Sequence, residues 1–277
     1  MNEIRAFIAH HEDEVQVFLY AVLIISLWFA EIFLSKNTVK SKWKHLRSNY
    51  LFIFTGLPIQ LFFTGFVILI SAWDNRHHFG LINLVPHHTN PWVYYISLFL
   101  MLDLCEYTYH VVMHKTEFLW KFHLVHHSDL HVDVSTTVRE HPCETVVRTC
   151  FLMLWVFICG PLLSVLVLRQ TFQTFANILG HTEFRLPERI NRFASLLFIT
   201  PNLHHVHHHY QLPYTDRNYG DVLSIWDRLF GTYANLDKAQ THFGIDTHMD
   251  ANMNSKFGNI LKIPFQKFER PGDQFHS

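Results

Sequence analysis

Between residues 107 and 128 the chain reads YTYHVVMHKTEFLWKFHLVHHS, and five of these residues are histidine: His110, His114, His123, His126 and His127. The spacing is HxxxH, then HxxHH. On a helix, residues three and four apart share a face, with Cβ atoms about 5–6 Å apart. His110 and His114 therefore point one way, and His123, His126 and His127 share a second face. A third cluster, His204, His207 and His208, repeats HxxHH. His205, His208 and His209 spell the same pattern, so spacing alone leaves two registers open. The inner residues favour the first: both boxes place a valine before the histidine doublet, in HLVHH and HHVHH. Neutral imidazole suits iron, zinc, copper and nickel. Eight histidines on three converging faces exceed the four ligands of one tetrahedral zinc, so the economical reading is two metal ions. The plain alternative is that histidines accumulate by chance, since 23 of the 277 residues are His. Chance scatter rarely yields the same box twice.

The rest of the chain says where such a centre sits. Hydrophobic residues make up 49% and charged residues only 16%, against about 25% charged in soluble domains. A net charge of −1 gives no basic field for nucleic acid. The apolar run 15–34 is long enough to cross a hydrocarbon core of about 30 Å. It is followed by Lys36, Lys40, Lys42, Lys44 and Arg47, which mark a cytoplasmic loop by the positive-inside rule. Residues 50–73 form a second span, and a third starts at Trp92. His110 follows Trp92 by 18 residues, about 27 Å of helix, which returns it to the lysine-marked face. Residues 146–181 are broken by Gly160-Pro161. They are expected to form a helical hairpin that dips in and comes back, because the third histidine cluster must meet the first two. Residues 187–199 suit an interfacial helix, and 235–277 suit a polar tail. The four cysteines include no CxxC and suit reduced packing residues. The expected fold is all-α. It is an integral, multi-pass bundle of about four membrane-inserted elements, with a cytoplasmic helical cap that carries the histidines. Residues 1–277 form one membrane-embedded domain.

The motifs and their order resemble the fatty acid hydroxylase and sterol desaturase superfamily. Asp103 precedes the first box, LWKFHLVHHS follows, then His181-Thr182-Glu183, TPNLHHVHHH from Thr200, and NYGDVLSIWDRLFGTY from Asn218. The resemblance covers residues 92–233. It implies two iron ions that activate O2 against a lipid C–H bond, with zinc as a possible occupant of purified protein. Carried over position by position, the implied ligands are His110, His114, His123, His126, His127, His181, His204, His207 and His208. Some relatives carry a further histidine four residues before His181. Here that position is Asn177, so a water or the Asn177 amide is expected to fill the gap.

An all-nitrogen ligand set makes nearby carboxylates useful, because ligating imidazoles donate their other N–H to an acceptor. Asp103 and Glu106 lie seven and four residues before His110 on its face. Acids within a membrane span are functional candidates by default. Both are therefore expected to act in the catalytic machinery with Asn177, the alternative being local pairing near the interface. Asp221 and Asp227 are weaker candidates. His141 before Pro142 reads as a helix cap. Arg139, Arg148 and Lys121 read as interfacial charges, and the doublets His77–His78 and His87–His88 fall at the opposite face. No glutamate has a histidine three residues on, and there is no HExxH, which excludes those metal motifs. No haem-attachment or glycine-rich dinucleotide motif occurs either, so electrons are expected from a separate donor protein. The rival readings are a histidine-rich membrane metal transporter and a zinc-dependent membrane hydrolase. A transporter should place ionisable residues near the midplane of several spans, whereas these histidines gather at one face.

Overall fold

The computed structural model of the protein describes residues 39–85, 90–267, 269 and 272. The expected first span at 15–34 and the doublet His87–His88 lie outside them. Among the described residues there is no strand, only two isolated bridges, Phe198 with Leu223 and His209 with Phe243. The longer helices are α1 (Val39–His77), α2 (Pro91–Lys115), α3 (Glu117–His127), α4 (Pro142–Cys159) and α5 (Leu163–His181). Four short ones follow: α6 (Glu188–Ala194), α7 (Pro201–His207), α8 (Ile225–Leu229) and α9 (Phe257–Ile260). The fold is all-α, as the sequence implies.

Among the described residues, three segments are long and apolar enough to cross a membrane: Lys42–Leu84, Trp92–Lys115 and Pro142–Cys159. Their lipid-facing positions are large and apolar, with Phe54, Leu61, Phe62, Leu69 and Ile96 all exposed. Such a surface needs an apolar solvent. Local signals set the helix ends. Asn90 caps α2 by accepting from Trp92 N, and Pro91 occupies the first turn. His141 caps α4 by accepting from Cys143 N at 3.1 Å, with Pro142 beside it. α4 thus starts before the apolar run, and its 18 residues give about 27 Å, enough for a crossing. It ends at Gly160, whose φ of 69° suits glycine. α5 then returns to His181. The tip of this hairpin packs on the far end of α1, where Ser71 Oγ donates to Pro161 O at 2.8 Å. The contact is close: a Cβ on Gly160 would sit 2.2 Å from Phe79 O.

Two expectations need correction. Over residues 40–47 the lysine cluster is helix rather than loop, because α1 begins at Val39 and runs unbroken through these residues and through Pro58; Lys36 lies outside the described residues. Tertiary polar contacts extend the helix: buried Lys42 pairs with Glu183 at 2.6 Å, and His45 Nε2 meets Asp129 at 2.8 Å. Nor is the described part of the C-terminal stretch a loose tail. Ile245, Ile260 and Ile263 are buried against Phe52, Trp120, Leu124 and Val125. This cap core lies beside the histidine helices. A separate core of Val67, Ile82, Leu98, Leu102, Val156 and Val165 holds the spans together.

Candidate metal centre

All nine histidines converge, and they sort into two groups. His110, His114, His123, His127 and His207 form one; His126, His181, His204 and His208 form the other. Within each group the ligand-capable nitrogens lie within 4.8 Å of one another. His126 and His127 are neighbours in sequence yet join different groups, because successive residues on a helix point about 100° apart. The end of α7 divides its histidines the same way, with His207 in one group and His204 and the C-cap residue His208 in the other. The alternative register is turned elsewhere. His205 Nε2 donates to Thr182 O at 2.8 Å, and His209 Nδ1 accepts from Gln211 N at 3.2 Å.

The ring orientations are fixed from behind. Nδ1 of His110 donates to Tyr219 O at 2.9 Å, that of His207 to Arg217 O at 2.8 Å, and that of His181 to Asn177 O at 2.7 Å. His126 Nδ1 reaches Arg139 O at 3.3 Å, His114 Nδ1 reaches Asp216 at 3.2 Å, and His123 Nδ1 reaches Glu144 Oε1 at 2.6 Å. Each of these six rings therefore turns Nε2 into its cluster. His181 Nε2 lies 3.0 Å from His204 Nε2 and 3.1 Å from His126 Nε2. His114 Nε2, His207 Nε2 and both nitrogens of His127 are buried with no hydrogen-bond partner. Orphaned, converging imidazole nitrogens fit a bound metal. Burial, helped by the neighbouring histidines, holds His126, His127, His204, His207 and His208 well below the ordinary histidine value. Burial first, then the Arg148 charge, brings His123 down to about 3. The rings are thus neutral at physiological pH, the form that ligates.

The acceptors differ from those expected. Asp103 does not bond any of the nine histidines. Its Oδ2 accepts from Trp226 Nε1 at 2.8 Å and Leu223 N at 3.3 Å, tying the closing motif to α2. Glu106 pairs with Arg148 at 3.0 Å and Arg169 at 3.4 Å. The carboxylates that do face these nine histidines are Glu144 and Asp216, on other parts of the chain. Asn177 contributes its carbonyl to His181 and is among the residues that line the cavity described below. Arg139 and Arg148 are not interfacial charges: Arg139 is fully buried, and Arg148 ion-pairs with Glu140 at 2.8 Å. The closing motif has a structural reason. Asp227 accepts from Tyr219 N at 2.7 Å and Gly220 N at 2.9 Å, which fixes the carbonyl that orients His110. A Cβ on Gly220 would lie 2.4 Å from Leu223 O, so this tight loop requires glycine.

A cavity of about 310 Å³ opens onto both clusters, touching His110 and His123 of one and His126, His181 and His204 of the other. It runs between α1, α2, α4 and α5, past Glu106, Glu144, Arg148 and Asn177, to Val67 and Leu152.

Comparison with known proteins agrees with this architecture. The fatty acid hydroxylase family model matches residues 95–232. Alkylglycerol monooxygenase of Homo sapiens is 31% identical over 65% of this chain and 38% of its own length. That of Caenorhabditis elegans is 28% identical over 66% of this chain and 33% of its own. An ornithine lipid hydroxylase of Rhizobium tropici is 31% identical over 50% of this chain and 41% of its own. The chain thus spans well under half the length of these curated relatives. No solved structure matches. With the family match laid over both histidine clusters, the chain belongs to the fatty acid hydroxylase and sterol desaturase superfamily.

Proposed function

We propose that this protein is an O2-dependent membrane oxygenase that hydroxylates a lipid C–H bond at a di-iron centre. The observation that carries the reading is geometric. Two groups of neutral imidazoles, five and four, present their nitrogens beside one cavity that opens between membrane-spanning helices. The all-nitrogen donor set suits iron and also zinc, so zinc in a purified sample does not decide the chemistry. When bound, two irons supply activation of O2. The nine histidines named above would hold them. In the balanced reaction one oxygen atom enters the C–H bond as hydroxyl, and the other leaves as water. Two electrons come from a separate donor protein and two protons from solvent.

The chain's own residues set how substrate approaches. The cavity's polar walls accept an amphiphile, with the hydrocarbon lying toward Val67 and Leu152. Glu106, Glu140 and Glu144 surround Arg148, whose guanidinium lies 4.9 Å over the Tyr109 ring, and this network keeps the cavity wall in place. Asn177, four residues before His181, lines the cavity beside the four-histidine group. Hydroxylation is favoured over desaturation because relatives are named as monooxygenases and hydroxylases of alkylglycerols, ornithine lipids and fatty acids.

The histidine boxes are assigned to the cytoplasmic face, since Lys42 at the basic end of α1 pairs with Glu183 beside His181. In a background lacking the four native cysteines, His131→Cys should label from the cytoplasm and His78→Cys from the opposite side. Labelling of both from one side contradicts the assignment.

The reaction itself is tested by lipidomics of cells grown under ¹⁸O2 with wild type or His126→Ala, with an electron donor supplied. A lipid carrying one labelled oxygen, absent in the variant, is expected. Loss of two hydrogens without label indicates desaturation instead, and a lipid profile insensitive to the variant contradicts the enzymatic reading.

A further inference from the structure

The end of the spans farthest from the two histidine clusters holds a second cavity, of about 370 Å³. Asp74, Asn75, His78, Phe79, Asn83, Tyr94 and Tyr95 line it, and the His78 ring makes no hydrogen bond to Asp74. Asp74 is fully buried, and neither of its carboxylate oxygens has a hydrogen-bond partner. No lysine or arginine is among the described residues of the lining. Leaving a carboxylate buried and unpaired is costly, so this wall is arranged for a positive partner.

Position narrows the partner. Asp74 lies 32 residues beyond Lys42 along α1, about 48 Å of helix, which exceeds a hydrocarbon core of about 30 Å. Trp73 and Trp92 are exposed nearby, as aromatic residues are at a membrane–water boundary. The cavity thus sits at headgroup depth on the face opposite the histidine centre. Its size argues against a bare ion, since one water takes about 30 Å³. A calcium ion also wants six to eight oxygens, and the lining's side chains provide one carboxylate, two amides and two phenol hydroxyls. Three aromatic rings beside a carboxylate are instead the chemistry that holds an organic ammonium.

We propose that this cavity binds an organic ammonium group, as carried by ethanolamine and choline headgroups, against Asp74. The bilayer supplies such groups at this depth, and so do free choline and ethanolamine in solution; the experiment separates the two.

Purified full-length protein in detergent is equilibrated with an equimolar mixture of phosphatidylethanolamine, phosphatidylcholine and phosphatidylglycerol with identical chains. Retained lipids are read by native mass spectrometry. At least fivefold enrichment of the two ammonium lipids over phosphatidylglycerol is expected. Asp74→Asn should bring the ratio near one, and Asp74→Glu should largely preserve it. A parallel arm measures binding of choline and ethanolamine to lipid-stripped protein. Saturable binding there that Asp74→Asn abolishes, without lipid enrichment, supports the same site with a soluble source. Metal content of each variant reports folding, because the histidine clusters lie at the other end of the spans. If Asp74→Asn fails to fold, the wild-type ratios and choline binding decide alone. Equal retention of all three lipids with no choline or ethanolamine binding overturns the proposal. So does enrichment that survives in a folded Asp74→Asn.

Discussion

Replacing Arg139 with methionine is expected to destabilise the protein by about 3–5 kcal/mol, the range for breaking a buried charge network by removing one partner. Its guanidinium donates to Val125 O and Ser128 Oγ, both at 2.8 Å, and to Asn49 Oδ1 and Asn254 O, both at 3.2 Å. One side chain thus joins the end of α3, the start of α1 and the C-terminal cap. The Arg139 carbonyl also orients His126. Asp129 lies in the same network. Burial works to raise its pKa, but the charges of His45 and Arg139 and several hydrogen bonds hold it well below the usual carboxylate range. Without Arg139 that carboxylate loses a counter-charge. The variant should show a sharply lower yield of monodisperse protein in detergent and a lower unfolding temperature. Arg139→Lys should recover only part of the loss, because an ammonium cannot reproduce the planar fork. A wild-type unfolding temperature for Arg139→Met contradicts this role.

The second large effect is expected at Glu144, and it should be selective. Its Oε1 accepts from His123 Nδ1 at 2.6 Å, which fixes the ring and raises its basicity as a ligand. Removing such an acceptor typically lowers metal affinity or activity 10–100-fold. Glu144→Gln should fall near the lower figure and Glu144→Ala near the higher. The loss should be confined to the five-histidine group, since the other four histidines do not touch Glu144. Arg148 keeps Glu106 and Glu140 as partners, so the fold survives. Chelator competition on cobalt-loaded protein measures both sites. Equal weakening of both contradicts the assignment.

Much of this centre was legible in the sequence because its ligands lie at helical spacing. HxxxH and HxxHH need only local geometry, and the valine in each box selected His204, His207 and His208. The hairpin at Gly160-Pro161 was legible for a similar reason: a glycine–proline pair breaks a helix wherever it stands. The sorting of His126 and His127 into different groups was not legible, because it depends on how α3, α5 and α7 pack. Neither were most of the acceptors. Tyr219, Arg217, Asn177 and Arg139 act through backbone carbonyls, which carry no side-chain signal. Asp103 and Glu106 were expected beside the histidines because they share a helix face with His110. Glu144 and Asp216 take that place from other parts of the chain. Glu144 left a faint trace, an acid at the start of an otherwise apolar helix, but it looks the same as an ordinary first-turn carboxylate. Lys42 and His45 looked like loop residues because a basic cluster beside a span usually marks a loop. Their partners Glu183 and Asp129 are more than 80 residues away in sequence.

The two-centre arrangement is tested most directly by metal stoichiometry. Full-length protein is reconstituted anaerobically with ferrous iron, desalted, and its iron counted per chain for wild type, His127→Ala and His204→Ala. Wild type should hold two irons. Each variant should hold about one, with His127→Ala emptying the five-histidine group and His204→Ala the four-histidine group. One iron in the wild type, or loss of all iron in both variants with the fold intact, would contradict two separate metal sites.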